Sequence, residues 1–142
     1  MKKICLLLAI IIVLFSGCDS SVYHWKFDYD IEQIKEIKII EISNFYEHEY
    51  SVVKDISYEQ FSQICDDIMN IEMKKYGVNL SHPTGYCILI IFDNDEYDII
   101  ASKESKRFRY QDGEIVAYNT WLDSDDSQFE KMIHKYLVLE MG

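Results

Sequence analysis

Residues 86–120 read YCILIIFDNDEYDIIASKESKRFRYQDGEIVAYNT and decide the fold. Four segments rich in β-branched and aromatic residues alternate here with short turn-forming segments. The most specific turn signal is Asp112-Gly113, a dipeptide that favours a two-residue hairpin. The pattern predicts a four-strand antiparallel meander. Its strands are Tyr86–Phe92, Tyr97–Ser102, Arg107–Gln111 and Glu114–Thr120.

The apolar side chains of the meander predict its register. A turn at Asp93–Glu96 pairs Ile90 with Ile99, the middle turn pairs Ile99 with Tyr110, and the last turn pairs Tyr110 with Ile115. In this register the apolar side chains of all four strands share one face of the sheet. A slip of one residue would break that agreement, so this face is expected to lie against helices.

The flanking segments add two strands and two helices. Ile37–Ile42 and Glu49–Ile56 have the Ile and Val content of strands. Helical spacing of apolar residues begins after Ser57 and predicts a helix that ends near Gly77, and a second helix runs to the C-terminus. The predicted fold class is α+β in the order ββ-α-ββββ-α. An antiparallel sheet, formed by the meander and the N-terminal strands, carries both helices on one face.

The N-terminus has the features of an export signal. Lys2 and Lys3 precede an unbroken apolar run of twelve residues, Ile4–Phe15. A membrane-spanning helix needs about twenty apolar residues, so the run has the length of a secretory signal instead. Ser16-Gly17-Cys18 follows directly.

Small residues immediately before a cysteine, after such a run, resemble the lipobox of bacterial lipoprotein precursors. The resemblance covers residues 1–18, and Phe15 departs from it where Leu is most usual. It implies a diacylglyceryl group on the sulfur of Cys18, cleavage by signal peptidase II between Gly17 and Cys18, and anchoring on the extracytoplasmic face of the cell membrane. The alternatives are an uncleaved signal anchor, or an ordinary signal peptide that leaves Cys18 as a plain thiol.

The chain then divides into a signal peptide (1–17), a lipidated N-terminal arm (18–29) and a single exported α+β domain (30–142). In the arm, aromatic and polar residues alternate, which predicts a strand with one aromatic face. That face either packs on the domain or lies at the lipid headgroups, where Trp and Tyr are favoured. The aromatic residues are Tyr23, Trp25, Phe27 and Tyr29.

Cys65 and Cys87 are the two cysteines of the exported domain, and an extracytoplasmic location permits a disulfide between them. Cys65 shares a helical face with Phe61 and Ile68 and is expected to point into the core. Cys87 immediately precedes Ile88 in a strand, so it points to the opposite face of the sheet. A bridge requires Cα atoms within about 7 Å and converging Cβ vectors, and two unpaired thiols are therefore expected.

The formal net charge is −11, from 14 Lys and Arg against 25 Asp and Glu. Nucleic acid is excluded as the main partner because phosphate binding requires a basic face. Docking on anionic lipid by charge alone is excluded for the same reason. The lipobox resemblance implies that the protein reaches the membrane through the lipid on Cys18, and the oligomeric state is left open.

The second face of the predicted meander is half apolar and locally basic, and it is the candidate partner-binding face for an acidic or aromatic partner. The alternative is that another part of the chain covers its apolar half. Because exposed charges contribute little to stability, reversing its two arginine charges is expected to leave the fold intact. The candidate residues are Arg107, Arg109, Val116 and Tyr118.

No catalytic motif is found, and the sequence predicts neither a metal nor a cofactor. The histidines show no paired metal-ligand spacing. No nucleophile elbow, glycine-rich phosphate loop or zinc-protease motif is present in the sequence. The four histidines are His24, His48, His82 and His134.

A non-enzymatic module that binds a protein or peptide at the cell surface is the function these features favour. One alternative is a cell-wall glycan-binding module that uses aromatic rings such as Trp25, Tyr118 or Trp121. The other alternative is a small envelope hydrolase whose catalytic residues meet only in the folded chain.

Overall fold

The computed structural model describes residues 22–24, 26–27, 29–75, 83–101, 107–118, 122–124 and 126–138. Two α-helices are present in this part of the chain, α1 (Phe61–Met69) and α2 (Asp126–Val138). The strands are β1 (Ile34–Asn44), β2 (Glu49–Asp55), β3 (Met73–Lys75), β4 (Gly85–Phe92), β5 (Tyr97–Ala101), β6 (Arg107–Gln111), β7 (Glu114–Tyr118) and β8 (Leu122–Ser124).

Six of the strands form one antiparallel sheet in the order β2-β1-β4-β5-β6-β7. The predicted α+β class, with the N-terminal strands and the meander in one sheet, is confirmed. The short strands β3 and β8 pair with each other in a separate sheet that the sequence analysis does not predict.

Both helices pack on the same face of the six-stranded sheet, as predicted. We call the buried residues between them the helix-side core. From the sheet it includes Ile37, Ile39, Ile88, Ile90, Phe92 and Ile100. From the helices it includes Phe61, Ile64, Cys65, Ile68, Phe129, Met132, Ile133 and Tyr136.

The first helix ends at Met69, several residues before the predicted end near Gly77, which lies outside the described residues. The N–H of Asn70 still bonds to the carbonyl of Asp66 at 2.9 Å, and the chain then turns. Met73 is fully buried and belongs to β3. Its apolar side chain continues the helical spacing, but its backbone pairs with β8, and this long-range pairing ends the helix.

The hairpin between β4 and β5 has a three-residue loop, Asp93–Asp95, instead of the predicted four-residue turn. The N–H of Phe92 donates to the carbonyl of Glu96 at 2.9 Å, and the N–H of Asp95 donates to the carbonyl of Phe92 at 3.0 Å. Asp95 adopts a left-handed conformation with φ of 63°. This combination is typical of a three-residue hairpin loop that ends in a left-handed residue.

The shorter loop shifts the register of β4 against β5 by one residue. Ile99 lies opposite Leu89 and not opposite Ile90, so the predicted pair of Ile90 with Ile99 is wrong. Between β5 and β6, Ile99 lies opposite Phe108 and not opposite Tyr110. Because this differs from the predicted pairing by two residues, the side chains of the two strands still lie on the same face relative to each other. The predicted pair of Tyr110 with Ile115 across the last hairpin is confirmed.

The apolar side chains predicted to share one face are therefore divided between the two faces of the sheet. The first strand of the meander sends Ile88, Ile90 and Phe92 into the helix-side core. From the later strands, Ile99, Ala101 and Phe108 lie on the other face, in a second cluster that we call the outer core. The outer core consists of Ile40, Ile42, Cys87, Leu89, Ile99, Ala101 and Phe108.

The same register places Asp98 opposite Arg109, on the face that carries the helices. Asp98 is fully buried and Arg109 is 5% exposed. The Arg109 guanidinium donates to both Asp98 carboxylate oxygens, from Nε at 2.7 Å and from Nη2 at 3.0 Å. The Cζ atom of the Arg109 guanidinium lies 4.9 Å from the centroid of the Tyr29 ring. The expectation that Arg109 is an exposed charge is therefore wrong.

The N-terminal arm packs on the domain where it is described. Tyr23 and Met73 exchange two backbone hydrogen bonds of 2.9 Å. Tyr23, Phe27 and Tyr29 pack against the helix-side core. The Tyr29 hydroxyl donates to Glu96, which raises the pKa of the phenol. Of the two interpretations of the aromatic arm, packing on the domain is the one these contacts support.

Cys65 and Cys87 are not joined by a disulfide, and both are fully buried. The first belongs to the helix-side core and the second to the outer core, so the sheet separates them. The prediction of two unpaired thiols is confirmed. Burial raises the pKa of the Cys65 thiol to about 12, which keeps it protonated at neutral pH.

Alkylation under denaturing, non-reducing conditions should modify both Cys65 and Cys87, because no bond between their sulfurs protects them. The same reagent should react far more slowly with the folded protein, in which both thiols are buried. Mass measurement of the two cysteine-containing peptides checks both expectations. Peptides that become alkylated only after reduction would show a native bridge and contradict the observed packing.

Arg109→Glu should strongly destabilise the fold, because it leaves two carboxylates facing each other in a buried site. Removing one partner from a buried ion pair typically costs about 3–5 kcal/mol. Lys35→Glu is the matched control, since the Lys35–Asp95 pair is exposed to solvent and its loss should change stability little. Urea unfolding of both variants makes the comparison, and equal midpoints would contradict a structural role for the buried pair.

Candidate partner-binding surface

Strand β2 is the most exposed regular element of the sheet in the part of the chain that the structure describes. It lies at the sheet edge, and β1 is its only partner among the described strands. Six of its seven residues are exposed and the seventh, Lys54, is half-buried. The exposed residues include Tyr50, Val52 and Val53, each more than 40% accessible. An edge strand with apolar side chains and an unpaired backbone is a template for another strand.

The two faces of β2 have different chemistry. Opposite β1, Tyr50 pairs with Ile42 and Val52 pairs with Ile40, so both extend the outer core to the sheet edge. Ser51 pairs with Glu41, on the face that carries the helices. The pairing with β1 shifts register near both ends of the strand, between Glu49 and Tyr50 and between Val52 and Lys54, which leaves Tyr50–Val52 as the regular part of the edge.

The turn between β1 and β2 folds toward the outer core. The Phe45 ring lies 5.0 Å from the Phe108 ring of β6, measured between centroids. A narrow cleft of about 20 Å³, enough for one water molecule, lies between Tyr50, Tyr97 and Ile115. These three residues come from β2, β5 and β7, which are not neighbours in the sheet. Their approach to one cleft shows that the sheet curls around the outer core.

Tyr97 supports this picture of a sheltered cleft beside the edge strand. Its ring stacks on the Tyr110 ring with centroids 4.8 Å apart and an angle of 8° between the planes. Burial raises the pKa of the Tyr97 phenol, with further contributions from Tyr110 and Tyr50. The cleft is too small for a sugar ring, so it serves as packing beneath the exposed surface.

The four residues of the predicted partner-binding face are not gathered into an exposed patch by the described contacts. Arg109 is held by Asp98 inside the protein. The backbone register sets Val116 opposite Arg109 and Tyr118 opposite Arg107. The side chains of Arg107, Val116 and Tyr118 lie outside the described part of the structure, and their role in docking stays a prediction.

A polar cluster joins the two helices. Asp67 of α1 accepts hydrogen bonds from the Tyr136 hydroxyl and from the Lys135 ammonium of α2, each at 2.6 Å. Burial, followed by the hydrogen bond to Asp67, raises the pKa of the Tyr136 phenol. An open groove of about 340 Å³ runs beside this cluster, with Lys131 and Gln128 on its walls. The contacts explain how the helices are held together, and they present no activated nucleophile.

The described histidines stand apart from one another. The Nδ1 atom of His24 lies 3.1 Å from the carbonyl oxygen of Met69. His48 sits in the exposed turn before β2, and His134 is on the exposed side of α2. Among the described residues, no three His, Cys, Asp or Glu side chains lie close enough together to hold a metal ion. His82 falls outside the described residues.

The sequence analysis places a strand at Glu49–Ile56 but does not identify it as a binding surface. A signal for its position is present in the residues themselves. The segment EYSVVKD lacks the strict alternation of apolar and polar residues that a strand with one buried face shows. Tyr and Val occur there on an otherwise polar strand, which is the pattern of an edge.

Comparison of the chain with protein-family models, with curated proteins and with solved structures finds no match in any of the three. Within the described ranges, neither helix is long and apolar enough to cross a lipid bilayer.

Proposed function

We propose that this protein is a small lipid-anchored, non-enzymatic module that binds a protein or peptide at the extracytoplasmic face of the cell membrane, with β2 as its docking edge. The observation that carries the proposal is the exposure of β2 together with its apolar side chains. Proteins usually protect such an edge with charges, proline or a covering loop. Here Tyr50 and Val52 are instead presented to solvent.

Strand addition is the recognition mode that fits this edge. On the side of β2 away from β1 no strand is paired within the described residues, and the backbone groups there can form main-chain hydrogen bonds with an extended segment, which supply affinity. Side chains at alternate positions of that segment would then extend the outer core beyond Tyr50 and Val52, and they supply selectivity. Arg107, Val116 and Tyr118 remain a second candidate surface, at the opposite edge of the sheet.

The proposed anchor places the domain close to the bilayer. Tyr23, whose backbone is hydrogen-bonded to Met73, is five positions after Cys18. A chain of that length spans at most roughly 18 Å. If Cys18 carries lipid, the domain is held near the headgroups. Partner segments at the cell surface then meet it at a high local concentration.

Cys18→Ala should abolish lipid attachment and processing by signal peptidase II, because the sulfur that receives the lipid is gone. Metabolic labelling with a radioactive fatty acid and a gel-mobility measurement test this. Cys5→Ala is the matched control, since it removes a thiol from the apolar run without touching Ser16-Gly17-Cys18. A Cys18→Ala protein that still takes up label and matures normally would refute the anchor.

Val52→Lys should reduce partner binding by about tenfold or more, because it places a charge at the centre of the docking edge. Stability should change little, since Val52 is 47% exposed. Val138→Lys is the matched control: it makes the same substitution at a residue that is 55% exposed on α2. Cross-linking in intact cells, followed by quantification of each cross-linked protein, compares the variants.

The result that supports the docking edge is a specific loss of cross-links in Val52→Lys, with Val138→Lys resembling the unmodified protein. If every cross-linked protein is retained by a folded Val52→Lys variant, β2 is not the docking surface. In that case substitutions at the second candidate surface, Arg107, Val116 and Tyr118, are compared in the same cross-linking experiment.

A further inference from the structure

We infer that the segment added to β2 is an extended, basic stretch of another protein, in which Lys or Arg alternates with apolar residues. This inference rests on the proposed function, because it assumes that β2 is the docking edge. The reason for the alternation is geometric, since consecutive side chains of a strand point to opposite faces of the sheet.

One face of the edge is apolar and the other is acidic. Tyr50 and Val52 lie on the outer-core side, opposite Ile42 and Ile40. Ser51 and Glu41 form a cross-strand pair on the other face, while Glu49 lies opposite Asn44 beyond a register shift and lines the cleft beside Tyr50. A strand placed beside β2 therefore meets apolar side chains on one face, a polar side chain on the other, and the Glu49 carboxylate at the start of the edge.

No cation of the edge itself offsets these carboxylates. From residue 41 to residue 53 the sequence contains Glu41, Glu47 and Glu49 but no Lys or Arg. All three glutamates are exposed. Glu41 lies on β1, one strand further from the edge, so Glu47 and Glu49 are the carboxylates that a basic side chain of the added strand would approach. Opposite charges on neighbouring strands stabilise a sheet.

The nearest lysines of β1 and β2 are engaged within the chain. The Lys54 ammonium donates to the carbonyl oxygen of Tyr136 at 2.5 Å, on the helix side. The Lys38 ammonium lies 2.6 Å from a Glu36 carboxylate oxygen and 3.6 Å from an Asp55 carboxylate oxygen. The exposed end of the edge is therefore left with a negative surface.

Exposed tyrosine rings add to the preference for a cation. Tyr46 is 70% exposed in the turn before β2, and Tyr50 is 48% exposed on the strand. The face of a tyrosine ring attracts Lys and Arg side chains. Both rings lie within a few residues of Glu47 and Glu49, so one basic side chain can contact a ring and a carboxylate together.

A second copy of this chain is a poor occupant of the edge. Long-range charge disfavours this occupant, because two chains of the same sign repel each other. Each full chain also carries a formal net charge of −11. Self-pairing would therefore bring two acidic edges together.

Synthetic ten-residue peptides test the inference with the full chain purified in detergent. In the first peptide Lys and Val alternate, in the second Thr replaces Lys, and in the third Glu replaces Lys. Fluorescence anisotropy gives the affinities, and hydrogen exchange locates the protected amides. The Lys peptide should bind most tightly and should slow exchange in residues 49–53, and added salt should reduce its advantage.

Glu47→Gln combined with Glu49→Gln should weaken binding of the Lys peptide about 3- to 10-fold, the range expected for two exposed charge pairs. Glu114→Gln combined with Glu130→Gln is the matched control. It makes the same change in net charge at exposed residues of β7 and α2. Affinity should be nearly unchanged in this control if the local carboxylates select the peptide.

Each other outcome overturns the inference in a distinguishable way. Equal binding of the Thr and Lys peptides, with protection of β2, would refute charge selection and leave the docking edge in place. Protection of β2 by concentration-dependent dimerisation would identify a second copy as the occupant. Absence of β2 protection with every peptide would refute the inference, while the Val52→Lys cross-linking comparison decides separately whether β2 is used in the cell.

Discussion

The loop of three residues at Asp93–Asp95 is the constraint on which the arrangement of the sheet depends. Two backbone hydrogen bonds and the left-handed conformation of Asp95 close this loop, and they set the register between β4 and β5. Because side chains alternate between the faces of a strand, a shift of one residue sends every side chain of β5 to the other face. That shift brings Asp98 to the helix side, where burial requires a cationic partner, and Arg109 of the neighbouring strand supplies it.

The central strands are buried on both faces as a result. Helices cover one face of β1 and β4, and the outer core covers the other, so the long apolar runs of these strands have a place on each side. In the described part of the chain the sheet is thus buried at its centre and exposed at β2, which pairs with β1 alone. Strand β2 therefore has both an exposed backbone edge and exposed apolar side chains, and this combination makes it the strongest candidate for binding a partner segment.

Charge and anchoring give this edge its proposed setting. The domain is strongly acidic, and most of the described cations nearest to β2 have contacts within the chain, so the edge presents carboxylates beside tyrosine rings. An acidic surface repels anionic headgroups, and attachment through a lipid on Cys18 would hold the domain at the membrane despite that repulsion. The same charge favours basic segments of other proteins, by steering their approach as well as by contact.

The sequence by itself determined the fold class, the positions of most strands, the buried face of α1 and the separation of Cys65 from Cys87. These features follow from local periodicity, from turn-forming residues and from the alternation of side chains along a strand. Only the tertiary structure decided where α1 ends, how β4 and β5 are aligned, and that Arg109 is buried against Asp98. Each of these depends on backbone pairing between distant segments or on the conformation of one residue in a turn, which composition and spacing do not encode. The docking edge belongs to the same group, because a strand becomes an edge only through the order in which the strands assemble.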